Sequence, residues 1–352
     1  MSRPRTARTA AVAGALAALL AAAGCAKPDG GPPGPSRGGL PGPEMTSITI
    51  GVSSADPHQF ALQLAIDLGI FKKYGIRAEG RLLNGVQPTT QALLSGQLAA
   101  ATDNSTATIT SLATSRPLVD VGVTINAFPD VIYGGKGIGN AADLRGKRVA
   151  ISQLGGQSNN EAFIGMRELG LKPGEFHLTQ VGSQGARISA LEAGTVAAAP
   201  ADPGLDAELA KSGIRPLIDL REAEDRVPGS NIEMQRSFTR KYPNLTTIIV
   251  AAALEAVQRE FTDTDTVAHL YAKWAKISDA ESRKQWHDYL GAHLAQRDLR
   301  AHVPGYELAK QVLTDYNPDI EHVDASKSYD GRFVDRLQRL GFLKRVGVPG
   351  AS

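Results

Sequence analysis

Apolar and polar positions alternate in a repeating order through the first two thirds of the chain. Residues 47–52 alternate as a β-strand does and run into a polar stretch. The helix predicted over 59–73 carries Phe60, Leu64 and Leu68 four residues apart, so they share one face. The order of strand, polar loop and helix continues to about residue 220, which predicts an α/β fold.

The same reading gives bounds for the later elements. Further helices are predicted at 87–95, 104–114 and 185–193, with one more ending near Leu169, and further strands at 77–83, 118–125 and 176–181. Beyond Pro228 the pattern becomes helical, at 245–261, 263–276, 279–294 and 305–313. This helical run predicts a cap on one lobe.

One segment occurs twice, at 92–101 and at 190–199, with Ala, Leu, Gly and three closing alanines kept in both copies. Each copy reads as a last helical turn, a glycine suited to the left-handed conformation of a helix end, and a small-residue strand. Polar loops follow at 102–106 and 200–204. Ligands of open α/β sheets bind outside the carboxyl ends of strands, so two halves facing a shared cleft are predicted. A chance match in an alanine-rich chain is the alternative.

The N-terminus has the pattern of an export signal. Three arginines in the first eight residues precede an uncharged run, 9–23, that ends in Ala22-Ala23-Gly24-Cys25. The run is shorter than the roughly 20 apolar residues of a membrane-spanning helix. Small residues before a cysteine resemble a bacterial lipoprotein signal, although Ala22 stands where leucine is usual. We therefore predict a signal peptide at 1–24 and a lipid on Cys25, with plain secretion as the alternative.

Composition narrows the function classes. Cys25 is the single cysteine, so no disulfide forms within the chain. The segment 25–45 is rich in Pro and Gly, which predicts a flexible tether. The formal net charge is +2 with no basic tract, which argues against nucleic-acid binding. The seven histidines show no metal-ligand spacing. The segment Gly134-Gly135-Lys136-Gly137 lacks the pattern of a phosphate loop, and we interpret it as a crossing between the lobes. We expect neither a metal nor a cofactor.

The order of several segments resembles the substrate-binding proteins of ABC importers for nitrate, sulfonates, taurine and pyrimidine precursors. The match is good over about 48–220 and loose beyond it. The segments that carry it are 67–76, 92–98, 142–149, 169–173 and 190–196. The chain departs from the family at Ala99 and Ala197, where relatives commonly carry an acidic residue.

The resemblance implies a periplasmic-binding-protein type II fold with two crossover strands and a helical C-terminal extension. Lobe one would comprise 46–133 and 233–352, and lobe two 134–232. The implied protein is a monomer and not an enzyme, anchored by its lipid to the outer face of the bacterial cytoplasmic membrane. A small anion or a nitrogen heterocycle would bridge the lobes, and the closed form would dock on the ABC permease.

Short polar side chains at the positions that match the family's cleft loops are the predicted ligand contacts. They are Ser53, Ser54, His58, Asn104, Ser105, Gln157, Ser158, Asn159 and Asp202. Free N–H groups at helix starts favour an anion, whereas Asp202 would favour an amine or a ring N–H. Ser105 and Ser158 fit helix capping equally well, and His58 fits a capping or surface role. Arg187, the nearest cation on the second-lobe helix, is interpreted as a solvated residue, with an anion contact as the alternative.

Two other functions stay open. One is an enzyme of the pyrimidine-biosynthesis type on the same fold, although the cysteine-rich stretch associated with that activity is absent. The other is a ligand-binding sensor domain that contacts a membrane kinase.

Overall fold

A computed structural model describes residues 35–351 except 155, 204, 224–225, 292–293 and 315–316. The predicted signal peptide, Cys25 and the first part of the tether lie outside the described residues. No helix in the described part of the chain is both long and apolar enough to cross a membrane.

Ten strands and fifteen helices make up the described structure. The strands are β1 Ser47–Val52, β2 Arg77–Leu82, β3 Ala100–Asp103, β4 Leu118–Ile125, β5 Val131–Gly134, β6 Arg148–Ile151, β7 His177–Gln180, β8 Ala198–Ala201, β9 Arg215–Asp219 and β10 Ser230–Gln235. The helices are α1 Ala61–Asp67, α2 Ile70–Lys73, α3 Val86–Leu94, α4 Ser105–Ser111, α5 Ala141–Leu144, α6 Gln157–Glu168, α7 Gln184–Glu192, α8 Asp206–Leu209, α9 Arg236–Lys241, α10 Pro243–Thr262, α11 Thr264–Ala275, α12 Asp279–Gly291, α13 Pro304–Thr314, α14 Arg332–Arg339 and α15 Phe342–Arg345.

The strands form two five-stranded sheets with equivalent topology. The order is β2-β1-β3-β10-β4 in the first and β7-β6-β8-β5-β9 in the second. In each sheet the first three strands are parallel, and the fourth, β10 or β5, runs antiparallel to its neighbours. Each fourth strand comes from the chain that has just crossed from the other sheet. The predicted α/β fold with two lobes is confirmed.

The duplicated segment has the predicted conformation in both copies. The first ends α3, passes through Gly96 at φ +77° and enters β3; the second ends α7, passes through Gly194 at φ +67° and enters β8. Both glycines occupy the left-handed region, which side chains rarely adopt. Because β3 and β8 take the third place in their sheets, the copies mark equivalent positions in the two lobes.

The crossings between the lobes lie at 126–130 and 220–229, between β4 and β5 and between β9 and β10. The crossing predicted at 134–137 is therefore wrong, because Gly134 ends β5 within the second sheet. The lobe boundaries predicted at 133/134 and 232/233 fall inside β5 and β10. A Cβ on Gly229 would lie 2.2 Å from the carbonyl oxygen of Ala127, so the crossings pack backbone against backbone.

Part of the predicted tether is packed on lobe one. Leu40 is 1% exposed and belongs to the main core. The carboxylate of Glu44 accepts hydrogen bonds from the backbone N–H groups of Asn244 and Leu245, at 2.9 and 2.7 Å. These two N–H groups lie in the first turn of α10 and have no hydrogen-bond partner within the helix. Residues 40–45 are therefore held against lobe one rather than acting as a free tether.

The helical region after β10 completes lobe one and also reaches lobe two. Helix α10 is buried on nearly all sides and forms the centre of the main core. Helix α13 packs Tyr306 and Leu313 against Ile109 of α4, while its Val312 joins the core of lobe two. The cap predicted for one lobe thus contacts both.

The helix predicted over 59–73 is divided, since Gly69 at φ +70° separates α1 from α2.

Candidate functional site

The two lobes meet where α4 and α6 begin. The Nδ2 atom of Asn160 on α6 donates a hydrogen bond to the Oγ1 atom of Thr106 on α4, at 3.2 Å. Asn160 is 2% exposed, and its Oδ1 atom has no hydrogen-bond partner. This contact links the lobes directly at the edge predicted to bind ligand.

Three predicted residues of lobe one lie where strands of its sheet end. Ser53, Asn104 and Ser105 are all buried at the ends of β1 and β3. The Oδ1 atom of Asn104 accepts a hydrogen bond from the N–H of Thr106 at 2.9 Å and so caps α4. Ser105 is the first residue of α4 and not its cap, so the capping role predicted for it is wrong. Ser54 is half-buried in the loop after β1.

Three predicted residues of lobe two lie in the first turn of α6. Gly156 stands at the cap position, so the capping role predicted for Ser158 is also wrong. The Oγ atom of Ser158 instead accepts a hydrogen bond from the N–H of Ser152 at 2.7 Å, which fixes the loop after β6. Gln157 donates to Glu161 at 2.6 Å. Asn159 is fully buried, and neither amide atom of its side chain has a hydrogen-bond partner.

A cavity of about 220 Å³ lies at the mouth of the cleft. Its lining comes from the loop after β1, the loop after β8, both crossings and α12. His58 and Asp202, predicted from opposite lobes, both line it, and the other predicted contacts are not among its lining residues. The lining residues are Asp56, Pro57, His58, Pro129, Asp202, Pro203, Leu205, Arg221, Glu281, Lys284, Gln285, Asp288, Tyr289 and Leu294.

Helix α12 is joined to the first-lobe loop through a tyrosine. The hydroxyl of Tyr271 lies 2.8 Å from the carbonyl oxygen of Ala55 and 3.1 Å from Oε1 of Gln285. Burial, followed by the charges of Asp56 and Asp202, raises the pKa of this tyrosine well above its ordinary value. Tyr271 therefore stays a neutral hydroxyl beside the cavity.

Three carboxyl groups are fully buried in lobe one under α4. Burial raises the pKa of Asp103 to about 7, against the opposing hydrogen bonds from the N–H of Asn104 and the Ser53 hydroxyl. Burial also holds the pKa values of Asp120 and Glu233 well above their ordinary ranges. Asp120 accepts hydrogen bonds from neutral groups, Tyr306 at 2.5 Å and Asn231 at 2.9 Å.

Lobe two buries a second set of carboxyl groups, but with a cation beside them. Asp130 and Glu161 are hydrogen-bonded to each other, and burial raises the pKa of each. The charge of Arg187 opposes that rise at both groups. Arg187 is 6% exposed and donates hydrogen bonds to the carbonyl oxygens of Pro200 and Gly182, at 3.2 and 3.0 Å. The prediction of a solvated residue is wrong.

Several site residues were missed by sequence reasoning. Asp103 and Asn160 adjoin predicted residues, and the phase of α6 could have favoured Asn160 over Asn159. No sequence signal places Glu281 and Gln285 of α12 beside the loop after β1, since more than 200 residues separate them. Among the described residues no group of three or more His, Cys, Asp or Glu side chains is arranged to hold a metal ion.

Comparison with known proteins identifies the family. A family model described as NMT1/THI5-like matches residues 57–259, more than half of the 352-residue chain. The chain belongs to the NMT1/THI5-like family. The match begins within the loop after β1, beyond Ser53, Ser54 and Asp56, and ends within α10. A search of curated proteins found no significant match.

Solved structures share the fold of this NMT1/THI5-like protein. The periplasmic aliphatic sulphonate binding protein SsuA from Escherichia coli has a TM-score of 0.63 at 22% identity, covering 79% of this chain and 94% of its own. The nitrate-binding protein NrtA from Synechocystis PCC 6803 has a TM-score of 0.59 at 14% identity, covering 86% and 89%. The desulfurization enzyme DSZB has a TM-score of 0.56 at 18% identity, covering 86% and 99%. At these identities the likeness establishes the fold.

Proposed function

We propose that this NMT1/THI5-like chain is an exported solute-binding lipoprotein that captures a small molecule between its lobes and delivers it to an ABC importer. The observation that carries the proposal is the cavity lined from both lobes, in a protein whose lobes also make direct contact through Asn160 and Thr106. A ligand held there touches both lobes only when they are closed. Its contacts therefore favour the closed form, which is the requirement for a population shift.

The interlobe crossings suit such a motion. Two segments connect the lobes, and they pack on each other at Gly229 and Ala127. Hinge motions concentrate in a few residues of this kind while the sheets move as units. SsuA and NrtA, which share the fold, are named as a sulphonate-binding and a nitrate-binding protein.

A binding experiment tests the proposal. Small-angle scattering and thermal unfolding of the full-length protein are recorded with sulfonates, nitrate, pyrimidine derivatives and small carboxylates and amines. We expect at least one compound to raise the melting temperature and shrink the radius of gyration together. Absence of both effects across the panel contradicts the proposal. Native mass spectrometry of protein purified without refolding checks for a co-purified ligand.

The proposed lipid anchor has its own test. Cys25→Ser removes the only thiol that can carry the lipid. We expect the unchanged protein to fractionate with membranes and the variant to be released in soluble form. Equal release of both proteins contradicts the anchor and leaves export intact.

An enzyme on the same fold is the second candidate, because DSZB shares the fold. The described cleft brings together carboxyl, amide and hydroxyl groups, and its buried carboxyl groups have raised pKa values as an acid catalyst would. Incubation with each compound that binds, followed by mass spectrometry of the compound, separates the two functions. Recovery of the unchanged compound supports binding, and turnover supports catalysis.

A further inference from the structure

We propose that the ligand carries a positively charged N–H group, such as a protonated amine, held at the mouth of the cleft between Asp56 of lobe one and Asp202 of lobe two. This proposal rests on the proposed function, and it names the ligand class and two residues that determine it. The solved neighbours SsuA and NrtA are named for anions, so the class is not transferred from them.

The cationic side chains that line the cavity are already paired. Nζ of Lys284 lies 3.1 Å from Oδ2 of Asp288. Arg221 donates to both carboxylate oxygens of Asp219, at distances from 2.5 to 3.1 Å. An anion entering the cavity would have to compete with these carboxylates.

The two carboxylates that face the cavity from the loops have no such partner among the described residues. Asp56 makes no capping hydrogen bond and no ion pair. Oδ2 of Asp202 accepts a hydrogen bond only from the neutral amide of Gln184, at 2.7 Å. Glu281, on the third wall, accepts from the neutral amide of Gln285 at 3.0 Å. The charges of Glu281 and Asp202 also act on Lys284. The lining nevertheless holds four carboxylates, Asp56, Asp202, Glu281 and Asp288, against the cations Arg221 and Lys284, so its charge is negative overall.

One polar atom of the cavity lining also lacks a partner. Nε2 of His58 is buried and has no hydrogen-bond partner within the described structure, although His58 lines the cavity. A buried polar atom without a partner is costly, so a ligand that brings an N–H group gains by donating to this nitrogen of a neutral imidazole.

The placement of Asp56 and Asp202 also explains how such a ligand would drive closure. They belong to opposite lobes and approach one cavity, so their like charges oppose closure of the empty protein. A cation between them changes that repulsion into two attractions, both present only in the closed form. At about 30 Å³ for each water, the cavity of about 220 Å³ has room for roughly seven waters, or a small amine.

The test compares matched probes of opposite charge on the full-length protein. Calorimetric titrations use alkylammonium ions and alkanesulfonates of the same chain lengths, from two to five carbons. We expect the ammonium series to bind at least about tenfold more tightly, and Asp56→Asn and Asp202→Asn each to weaken it about tenfold. Asp206→Asn, an exposed carboxylate outside the cavity, is the matched control and should leave affinity unchanged.

The outcomes separate this proposal from the proposed function. Tight binding of sulfonates with none of ammonium ions overturns the ligand class and leaves solute binding intact. Binding of ammonium ions that neither variant weakens overturns the assignment to Asp56 and Asp202. Absence of binding by both series, together with absence of closure across the wider panel, overturns the proposed function and this inference with it. Unfolding curves confirm that each variant is folded.

Discussion

The two lobes share one strand topology and both bury carboxyl groups beside the helix that lines the cleft, yet they stabilise these groups differently. In lobe two, Arg187 opposes the rise that burial causes in the pKa values of Asp130 and Glu161, although both values stay raised. In lobe one, neutral hydrogen-bond donors oppose that rise, and the charges of neighbouring acids add to it. Burial therefore favours the protonated acids in both lobes, and in lobe two a guanidinium group acts against it.

This difference shows that equivalent scaffolds do not fix equivalent electrostatics. Both sheets end their third strand in a polar loop, but Asp103 is buried at the end of β3, while Asp202 after β8 is exposed at the cavity. The acids of both lobes respond to pH, and those of lobe two also depend on one arginine. The variants below test each half of that comparison.

The largest effect is expected from Arg187→Met. The substitution leaves buried carboxyl groups without their cation and two carbonyl oxygens without their donor. We expect a loss of about 3–5 kcal/mol in unfolding free energy at pH 8, measured by denaturant unfolding. The loss should be smaller at pH 5, where Asp130 and Glu161 are protonated more readily. Arg187→Lys, which keeps the charge, should lose less, and an equal loss for both variants at both pH values contradicts the role of the charge.

One contribution to the pH dependence of stability should come from Asp103 in lobe one. The folded pKa of Asp103, about 7, lies above its ordinary value of 3.8, so the folded state binds the extra proton between these values. The contribution of Asp103 to stability is therefore greatest below about pH 4. It falls as the pH rises towards 7, by at most about 1.4 kcal/mol per pH unit. Asp103→Asn keeps the shape and removes this slope. A slope unchanged in the variant would assign the pH dependence to other groups.

The packing between the crossings can be tested with one methyl group. In Gly229→Ala the new Cβ would lie 2.2 Å from the carbonyl oxygen of Ala127, so the backbone of one crossing must shift. We expect a cost of about 1–3 kcal/mol in thermal unfolding, together with altered closure by scattering. Gly185→Ala, where the Cβ meets no atom within 4 Å, is the control. Equal stability of the two variants would contradict the close approach.

The smallest effect concerns the segment that packs on lobe one alone. Glu44→Ala removes the carboxylate that accepts from the first N–H groups of α10, and we expect a loss of about 1 kcal/mol by denaturant unfolding. Asn140→Ala removes the exposed cap of α5, a helix of four residues in lobe two, and should cost less. A larger loss for Asn140→Ala would reverse this ranking of the two caps.

Local patterns predicted most of the fold, because periodicity and helix-ending glycines are local. The strand predicted at 118–125 is β4, and the helices of the duplicated segments are followed by left-handed Gly96 and Gly194 as predicted. The crossing was misplaced because the short β5 resembles a linker in sequence and becomes a strand only by pairing with β8 and β9.

The site was less predictable, since its charges depend on contacts between distant segments. The sequence of α7 mixes polar and apolar residues and does not mark Arg187 as buried. Only the fold places Arg187 beside Asp130 and Glu161. Asp103 precedes a predicted contact, yet its burial under α4 and next to Asp120 is a tertiary feature. The wall of the cavity formed by α12 depends on how the C-terminal helices return to the loop after β1.

The most direct test of ligand-driven closure measures the distance between the lobes. Spin labels are placed at Glu79→Cys on β2 and His177→Cys on β7, the exposed, equivalent edge strands of the two sheets, in a Cys25→Ser background. Pulsed electron paramagnetic resonance is recorded with and without a compound that raises the melting temperature. We predict that the compound changes a broad or bimodal distance distribution into a single narrow one. A distribution that stays the same while calorimetry shows the compound bound would contradict the account.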